Sequence, residues 1–148
     1  MKKEFFFDTS ALVKLYHEEN GTEELAALLF QEKPRIVISD LTIIEMISAL
    51  AKKVRTREIE TTAFNEAVSA FEEDVLHFKV IEIESQIKKR ASDLLKSVGL
   101  ENGLRTLDSL QLASALVFSD FSTLSLFVAS DAAIIHAATL LGLETMAP

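Results

Sequence analysis

Four acidic residues, widely separated along the chain, are the side chains best suited to chemistry. They are Asp8, Glu45, Asp108 and Asp131. Each stands at the beginning of a predicted helix or directly before one, and Asp8 and Asp131 also follow the apolar runs 5–7 and 124–129, which are typical of buried strands. Ligands bind at the carboxyl ends of the strands in open α/β sheets. We therefore expect the four carboxylates to meet at one edge of a sheet.

Carboxylates brought together in this way favour binding of a hard metal ion. At about 4 Å and an effective dielectric constant near 20, each pair repels by roughly 4 kcal/mol, so the cluster takes up protons or binds a cation. Because the set contains oxygen ligands and no His or Cys, it suits Mg²⁺ or Mn²⁺ better than zinc. Mg²⁺ usually keeps several waters and is completed by substrate phosphate. The predicted chemistry is therefore hydrolysis of phosphodiester bonds.

A structural role would explain each acid taken singly. Asp is a favoured helix N-cap, and an acid in the first helical turn contributes about 0.3–1 kcal/mol. Glu45 also fits a capping box with Thr42. Each acid, however, has a hydroxyl neighbour that can cap the helix in its place. These neighbours are Thr9 or Ser10, Ser39 or Thr42, Thr106, and Ser130. We therefore favour the functional interpretation of the set, while the structural one stays open for each residue.

The elements that must position the acids alternate between short apolar strands and amphipathic helices. Strands are predicted at residues 5–7, 36–38, 78–83, 124–129 and 143–146. Helices are predicted at residues 9–19, 23–31, from 39 onward, 59–76, 85–98 with Gly99 as C-cap, 107–117, and 131–141 with Gly142 as cap. Such alternation requires helical crossovers between parallel strands. The predicted fold is a single domain over residues 1–148, a three-layer α/β/α sandwich with a mostly parallel sheet.

Composition restricts the partners. A formal net charge of −8 excludes a general nucleic-acid binder, whose affinity depends on neutralising many phosphates. Either the protein has no nucleic-acid partner, or its negative charge is concentrated where cations offset it and local basic patches attract the ligand. No apolar run approaches the roughly 18–20 residues of a membrane span, and the run after the N-terminal lysines is too short for a signal peptide. We expect a cytoplasmic protein without membrane association.

At these same residues the chain resembles the PIN-domain ribonucleases, and among them the VapC-like toxins of type II toxin–antitoxin modules. The matching segments are residues 7–12, 42–46, 105–113 and 127–131. Together, in this order and spacing, they span nearly the whole chain. Two departures from the pattern stand near the acids. Ala132 and Ala133 follow the last acid, where many relatives carry Lys or Arg, and Gln111 stands where His is common.

The resemblance implies a metal-dependent endoribonuclease. In the family, carboxylates at the positions of the four acids are the catalytic metal ligands for Mg²⁺ or Mn²⁺, and the toxins usually form homodimers that a small antitoxin protein silences. Side chains beside the acids are expected to position substrate or water: Thr9, Ser10, Arg105 and Ser130. Cations near the end of the helix that carries Glu45 are expected to contact the RNA backbone: Lys52, Lys53 and Arg55. Cations at a helix C-terminus also interact favourably with its dipole.

A second interpretation stays open beside the enzyme. The net charge and the missing cations after Asp131 are consistent with a catalytically weak or inactive PIN-like module that acts in protein interaction.

Overall fold

The structure, a computed structural model that describes residues 1–148, contains one five-stranded sheet with helices on both faces. The strands are β1 (Glu4–Phe7), β2 (Arg35–Ser39), β3 (Lys79–Ile81), β4 (Leu126–Val128) and β5 (Thr145–Met146). The helices are α1 (Thr9–Leu12, continued by a 3₁₀ turn at Val13–Leu15), α2 (Thr22–Glu32), α3 (Asp40–Arg55), α4 (Thr61–Val75), α5 (Ser85–Lys96), α6 (Gly99–Asn102), α7 (Thr106–Phe121) and α8 (Ala132–Leu140). No helix combines the length and the apolar composition needed to cross a bilayer.

The strand order β3-β2-β1-β4-β5 places β1 at the centre of the sheet. Every neighbouring pair is parallel, so the predicted three-layer sandwich is confirmed and its sheet is wholly parallel. The chain order reverses between β1 and β4, which makes their carboxyl ends a topological switch point. Phe7 pairs with Val128, and the Asp8 N–H donates to the Val128 carbonyl at 2.9 Å. The two strands therefore end level with each other.

Apolar side chains of β1 enter the core on both sides of the sheet, which explains the uninterrupted run of aromatics. Phe6 faces the layer of α5, α7 and α8, where it stacks on Phe127 with ring centroids 5.6 Å apart and planes at 4°. Phe5 and Phe7 face the layer built from α1 to α4. All three rings are buried, so the central strand is fixed from both faces.

Two predicted helices end earlier than the sequence pattern indicated. The helix predicted at residues 9–19 stops at Leu12 and a 3₁₀ turn, and the Lys14 carbonyl accepts a hydrogen bond from Thr22 Oγ1 instead of continuing the helix. The helix predicted at residues 85–98 stops at Lys96, because the Ser97 backbone leaves the helical region, with φ −112° and ψ −90°. The Ser97 hydroxyl donates to carbonyls of the last turn. Gly99 therefore begins α6 and is no C-cap.

Candidate active site

The Ser10 hydroxyl joins the two loops that carry Asp8 and Asp131. It donates to Asp8 Oδ2 at 2.5 Å, and the Ser10 N–H donates to the same oxygen at 3.2 Å. The hydroxyl oxygen also accepts from the backbone N–H groups of Ser130 at 3.0 Å and Asp131 at 3.3 Å. One donated and two accepted bonds use the full capacity of a hydroxyl. Ser10 thereby holds together the crevice between β1 and β4.

Glu45 lies in the second turn of α3 and is held by side chains of two other helices. Its Oε1 accepts from Thr9 Oγ1 at 2.9 Å and from Gln111 Nε2 at 2.7 Å. The same Gln111 nitrogen lies 2.7 Å from Thr42 Oγ1, and the two threonine hydroxyls lie 3.1 Å apart. Thr9, Thr42 and Gln111 are all buried. This network connects α1, α3 and α7 beneath the Glu45 carboxylate.

The three Asp residues cap helices, contrary to the expectation that neighbouring hydroxyls would do so. Asp8 caps α1 through the Ser10 N–H, and Asp131 caps α8 by accepting from the Ala133 N–H at 2.9 Å. Asp108 Oδ2 accepts from the backbone N–H of Arg105, before α7, at 3.2 Å.

The capping box that Thr42 and Glu45 fit by their spacing, the structural alternative for Glu45, does not form. Helix α3 begins at Asp40 with Ser39 as N-cap residue, which places Thr42 inside the first turn. Its hydroxyl contacts Thr9 and Gln111 instead of a free backbone N–H.

Burial and mutual repulsion shift two of the carboxyl groups. Burial raises the pKa of Asp8 to about 6, against the lowering effect of its Ser10 hydrogen bonds, and the charges of Glu45 and Asp108 raise it further. Burial also raises the pKa of Asp108, and the charge of Asp131 adds to this while Arg105 opposes it. Each of the four acids therefore interacts electrostatically with at least one of the others.

The donor chemistry of this region fits a hard divalent cation. In each of the four acids one carboxylate oxygen makes the hydrogen bonds described above, and the other makes none within the protein. Oxygen ligands of this kind suit Mg²⁺ or Mn²⁺. No group of three or more His, Cys, Asp or Glu side chains, however, is arranged so that it could hold a metal ion. The side chains stand as separately hydrogen-bonded acids, not as a finished coordination shell.

The remaining predicted site residues differ in their surroundings. Thr9 and Ser10 contact acids directly, as described above. The Arg105 side chain is exposed and forms no ion pair, and the Ser130 hydroxyl donates to the Pro148 carbonyl at 3.4 Å.

The three cations of α3 are not equivalent. Lys53 is paired with Glu19 at 2.9 Å and its side chain is only 15% exposed, which leaves it little freedom to bind a ligand. Lys52 and Arg55 are exposed and form no ion pair. Lys52 follows Glu45 by two helical turns on the same side of α3, about 10 Å along the axis.

Gln111 and Thr42 are the residues whose part in the site the sequence did not reveal. Both are fully buried, and both contact the Glu45 network through hydrogen bonds between distant parts of the chain. One feature of the sequence could have pointed to Gln111. It is a polar residue one helical turn after Asp108, in a segment of otherwise apolar and small residues. A long polar side chain on the inner face of a helix needs a partner.

Comparisons with known proteins identify a family from the sequence and similar folds from solved structures. A family model of the PIN domain matches residues 5–140. VapC20 of Mycobacterium tuberculosis, a toxin that cleaves the sarcin–ricin loop, has a similar structure, with a TM-score of 0.67 at 18% identity over 97% of this chain and 99% of that one. VapBC2 of Rickettsia felis, bound to a DNA fragment from its promoter, gives 0.65 at 14% identity over 98% of each chain. A toxin–antitoxin complex from Klebsiella pneumoniae gives 0.60 at 21% identity over 85% of each. No curated protein matches significantly in sequence.

Proposed function

The chain belongs to the PIN-domain family, and we propose that it acts as a single domain that hydrolyses RNA phosphodiester bonds as a metal-dependent endoribonuclease. The proposal is supported by how the acids relate to one another. Asp8 and Asp131 follow the adjacent strands β1 and β4, Glu45 accepts a hydrogen bond from Thr9 beside Asp8, and the charge of Asp108 acts on Asp8. Each acid keeps one carboxylate oxygen free of hydrogen bonds. Burial, with smaller contributions from the neighbouring acids, raises the pKa values of Asp8 and Asp108. Carboxyl groups whose pKa values are shifted by burial and by like charges are common in functional sites.

In this proposal the four acids are the ligands of Mg²⁺ or Mn²⁺. A divalent cation held there would supply Lewis-acid activation of a water nucleophile and would neutralise charge on the phosphate. Ser10 keeps Asp8 and the Asp131 loop at a fixed separation, and Thr9 orients Glu45. Arg105, exposed beside Asp108, is placed to meet a phosphate, and Ser130 lines the crevice.

The proposed RNA contacts lie along α3. The exposed Lys52 and Arg55 extend the site away from Glu45 on a local basic surface, which can steer a polyanion although the whole protein carries a net charge of −8. Lys53, the third predicted contact, is held by Glu19 and is the weakest of the three candidates.

We further propose that the protein is a toxin component that forms a homodimer and is neutralised by a small antitoxin protein. The proposal rests on the family and on the likeness to toxin and toxin–antitoxin structures. Ile44 and Leu107 are 69% and 48% exposed and are the immediate chain neighbours of Glu45 and Asp108. Apolar side chains at the rim of an acidic site suit contact with a protein segment that covers it.

The test is cleavage of a panel of structured RNAs by purified protein with Mn²⁺, with Mg²⁺ and with EDTA. Asp8→Asn and Asp108→Asn are compared with Asp93→Asn, which makes the same charge change on an exposed position of α5. We expect metal-dependent cleavage by wild type and Asp93→Asn and its loss in the two site variants.

The alternative function is a PIN-like interaction module without catalysis. It is favoured by the lack of three acidic side chains arranged to hold a metal and by Ala132 and Ala133 after the last acid. Wild-type protein that neither cleaves RNA nor binds Mn²⁺ would establish this alternative. If the protein binds Mn²⁺ but cleaves none of the RNAs, the proposed metal site stands and the RNAs tested are not its substrates.

A further inference from the structure

Gln111 is a polar residue at a core position, where packing alone would accept an apolar side chain. Its side chain is fully buried in α7, and its Oε1 has no hydrogen-bond partner. An unpaired buried oxygen destabilises a folded protein, whereas an apolar side chain of the same size would fill the space without that penalty. The reason for an amide at this position must therefore lie with its nitrogen.

Distance alone does not say which hydroxyl donates in the contact between Thr9 and Thr42, but a carboxylate only accepts, and this orders the hydrogens of the network. Gln111 Nε2 has two hydrogens and three acceptors, of which Thr9 Oγ1, at 3.4 Å, is farther than Thr42 and Glu45, at 2.7 Å each. Thr9 uses its single hydroxyl hydrogen for Glu45 Oε1, at 2.9 Å. Thr42 must then donate to Thr9 across the 3.1 Å contact, and Thr42 accepts from Gln111 at 2.7 Å. The second hydrogen of Gln111 Nε2 goes directly to Glu45 Oε1, at 2.7 Å.

Every hydrogen in the network therefore points, directly or through a hydroxyl, toward one oxygen of Glu45. Two donors from different helices fix Oε1, and Oε2 makes no hydrogen bond within the protein. The rotation of the carboxylate is thus set by α1 and α7, although Glu45 itself belongs to α3.

We propose that Gln111 is a positioning residue that, through Glu45, presents Oε2 to a divalent cation. This inference rests on the proposed function and deepens it. Gln111 touches neither cation nor RNA, and Thr9 and Thr42 complete the same support. Outer partners that orient metal ligands typically contribute 10–100-fold to metal affinity, so we expect about a 10-fold or greater loss of Mn²⁺ affinity when the amide is removed.

The experiment is a double-mutant cycle on the full chain, with Mn²⁺ affinity measured by titration calorimetry. The variants are Gln111→Met, which keeps the side-chain length without a donor, Glu45→Gln, and the two combined. Thermal unfolding in EDTA reports the stability of each variant separately from its metal affinity. Ser114→Ala is the matched control, because Ser114 is buried on the same helix and its hydroxyl donates only to the Leu110 carbonyl.

We expect Gln111→Met to weaken Mn²⁺ binding in the wild-type background and to have no further effect once Glu45 is Gln. Ser114→Ala should leave affinity unchanged. Thr9→Val removes the other donor to Oε1 and gives a second route to the same result if Gln111→Met does not fold.

A purely structural role for Gln111 gives a different result. Gln111→Met would then lower the unfolding temperature in EDTA and leave Mn²⁺ affinity at the wild-type value, or its effect would persist in the Glu45→Gln background; either outcome overturns the inference. Wild-type protein that binds no Mn²⁺ would refute the proposed function and this inference together. Wild-type binding with unchanged affinity in Gln111→Met would refute the inference alone.

Discussion

Replacing Asp8 by Asn should stabilise the metal-free protein at neutral pH. Asp8 is only 6% exposed, and burial, together with smaller contributions from Glu45 and Asp108, raises its pKa from 3.8 to about 6. Between these two values the folded protein binds a proton that the unfolded chain has released. The free energy of unfolding therefore falls as the pH rises through this window.

The magnitude follows from the size of the shift. A shift of about two pKa units, at 1.36 kcal/mol per unit, corresponds to about 3 kcal/mol. Asn carries no charge at any pH, and its side-chain oxygen can still accept from Ser10. Wild type and Asp8→Asn should therefore have similar stability at pH 4 and below, and the variant should be more stable by up to about 3 kcal/mol at pH 7.

The assay is urea denaturation in EDTA between pH 4 and pH 8, with Asp93→Asn as control for loss of a charge on the surface. A stability difference that does not change with pH, or a variant less stable than wild type at pH 7, would refute the reasoning from burial. Adding Mn²⁺ should reverse the order, because a ligand that binds the folded state stabilises it in proportion to RT ln(1 + [L]/Kd) and the variant lacks one of the proposed ligands.

Three further changes test other parts of the structure. Ser10→Ala removes the acceptor of two backbone N–H groups, one part-buried and one exposed, and should cost about 0.5–1.5 kcal/mol in urea denaturation; an unchanged midpoint would show that the two loops do not depend on the hydroxyl. Phe6→Ala should cost about 3–5 kcal/mol in the same assay, because the ring is fully buried in the central strand; a loss below 1 kcal/mol would contradict its place in the core. Lys52→Gln should lower the salt dependence of RNA affinity by about one phosphate contact, whereas Lys53→Gln should leave it unchanged because Glu19 holds that lysine; equal effects would contradict the distinction.

The sequence predicted the sheet well because its strands carry their own signal. A parallel strand buried on both faces needs a continuous apolar run, and Phe5, Phe6 and Phe7 supply one that no amphipathic helix would contain. Because these strands could be recognised, the acids that follow β1 and β4 could be placed at the carboxyl edge of the sheet. Helix ends were harder to predict. The first helix ends where the Lys14 carbonyl accepts from Thr22, and α5 ends where the Ser97 backbone leaves the helical region. The period of apolar residues encodes neither event.

The support of Glu45 was beyond prediction for a different reason. Gln111 lies 66 residues after Glu45 and belongs to the opposite layer of the sandwich. The two side chains meet only because the fold brings them within hydrogen-bond distance. The spacing of Thr42 and Glu45 fits a capping box. Their actual contacts depend on Gln111, which is distant from both in the sequence. Only the tertiary structure distinguishes these two uses of the same residues.

For three of the four acids, capping a helix and the proposed binding of a metal are compatible uses of one carboxylate. Asp8, Asp108 and Asp131 each use one oxygen to accept a backbone N–H and leave the other without a hydrogen bond. A backbone N–H is a rigid donor, so a capping bond fixes the orientation of a carboxylate more firmly than solvent would. Donated hydrogen bonds also lower the pKa of Asp8 and Asp108 against the effect of burial. Capping is therefore a means by which the fold can hold mutually repelling carboxylates in place, and variants that keep the cap but remove the charge, such as Asp8→Asn, separate the two contributions.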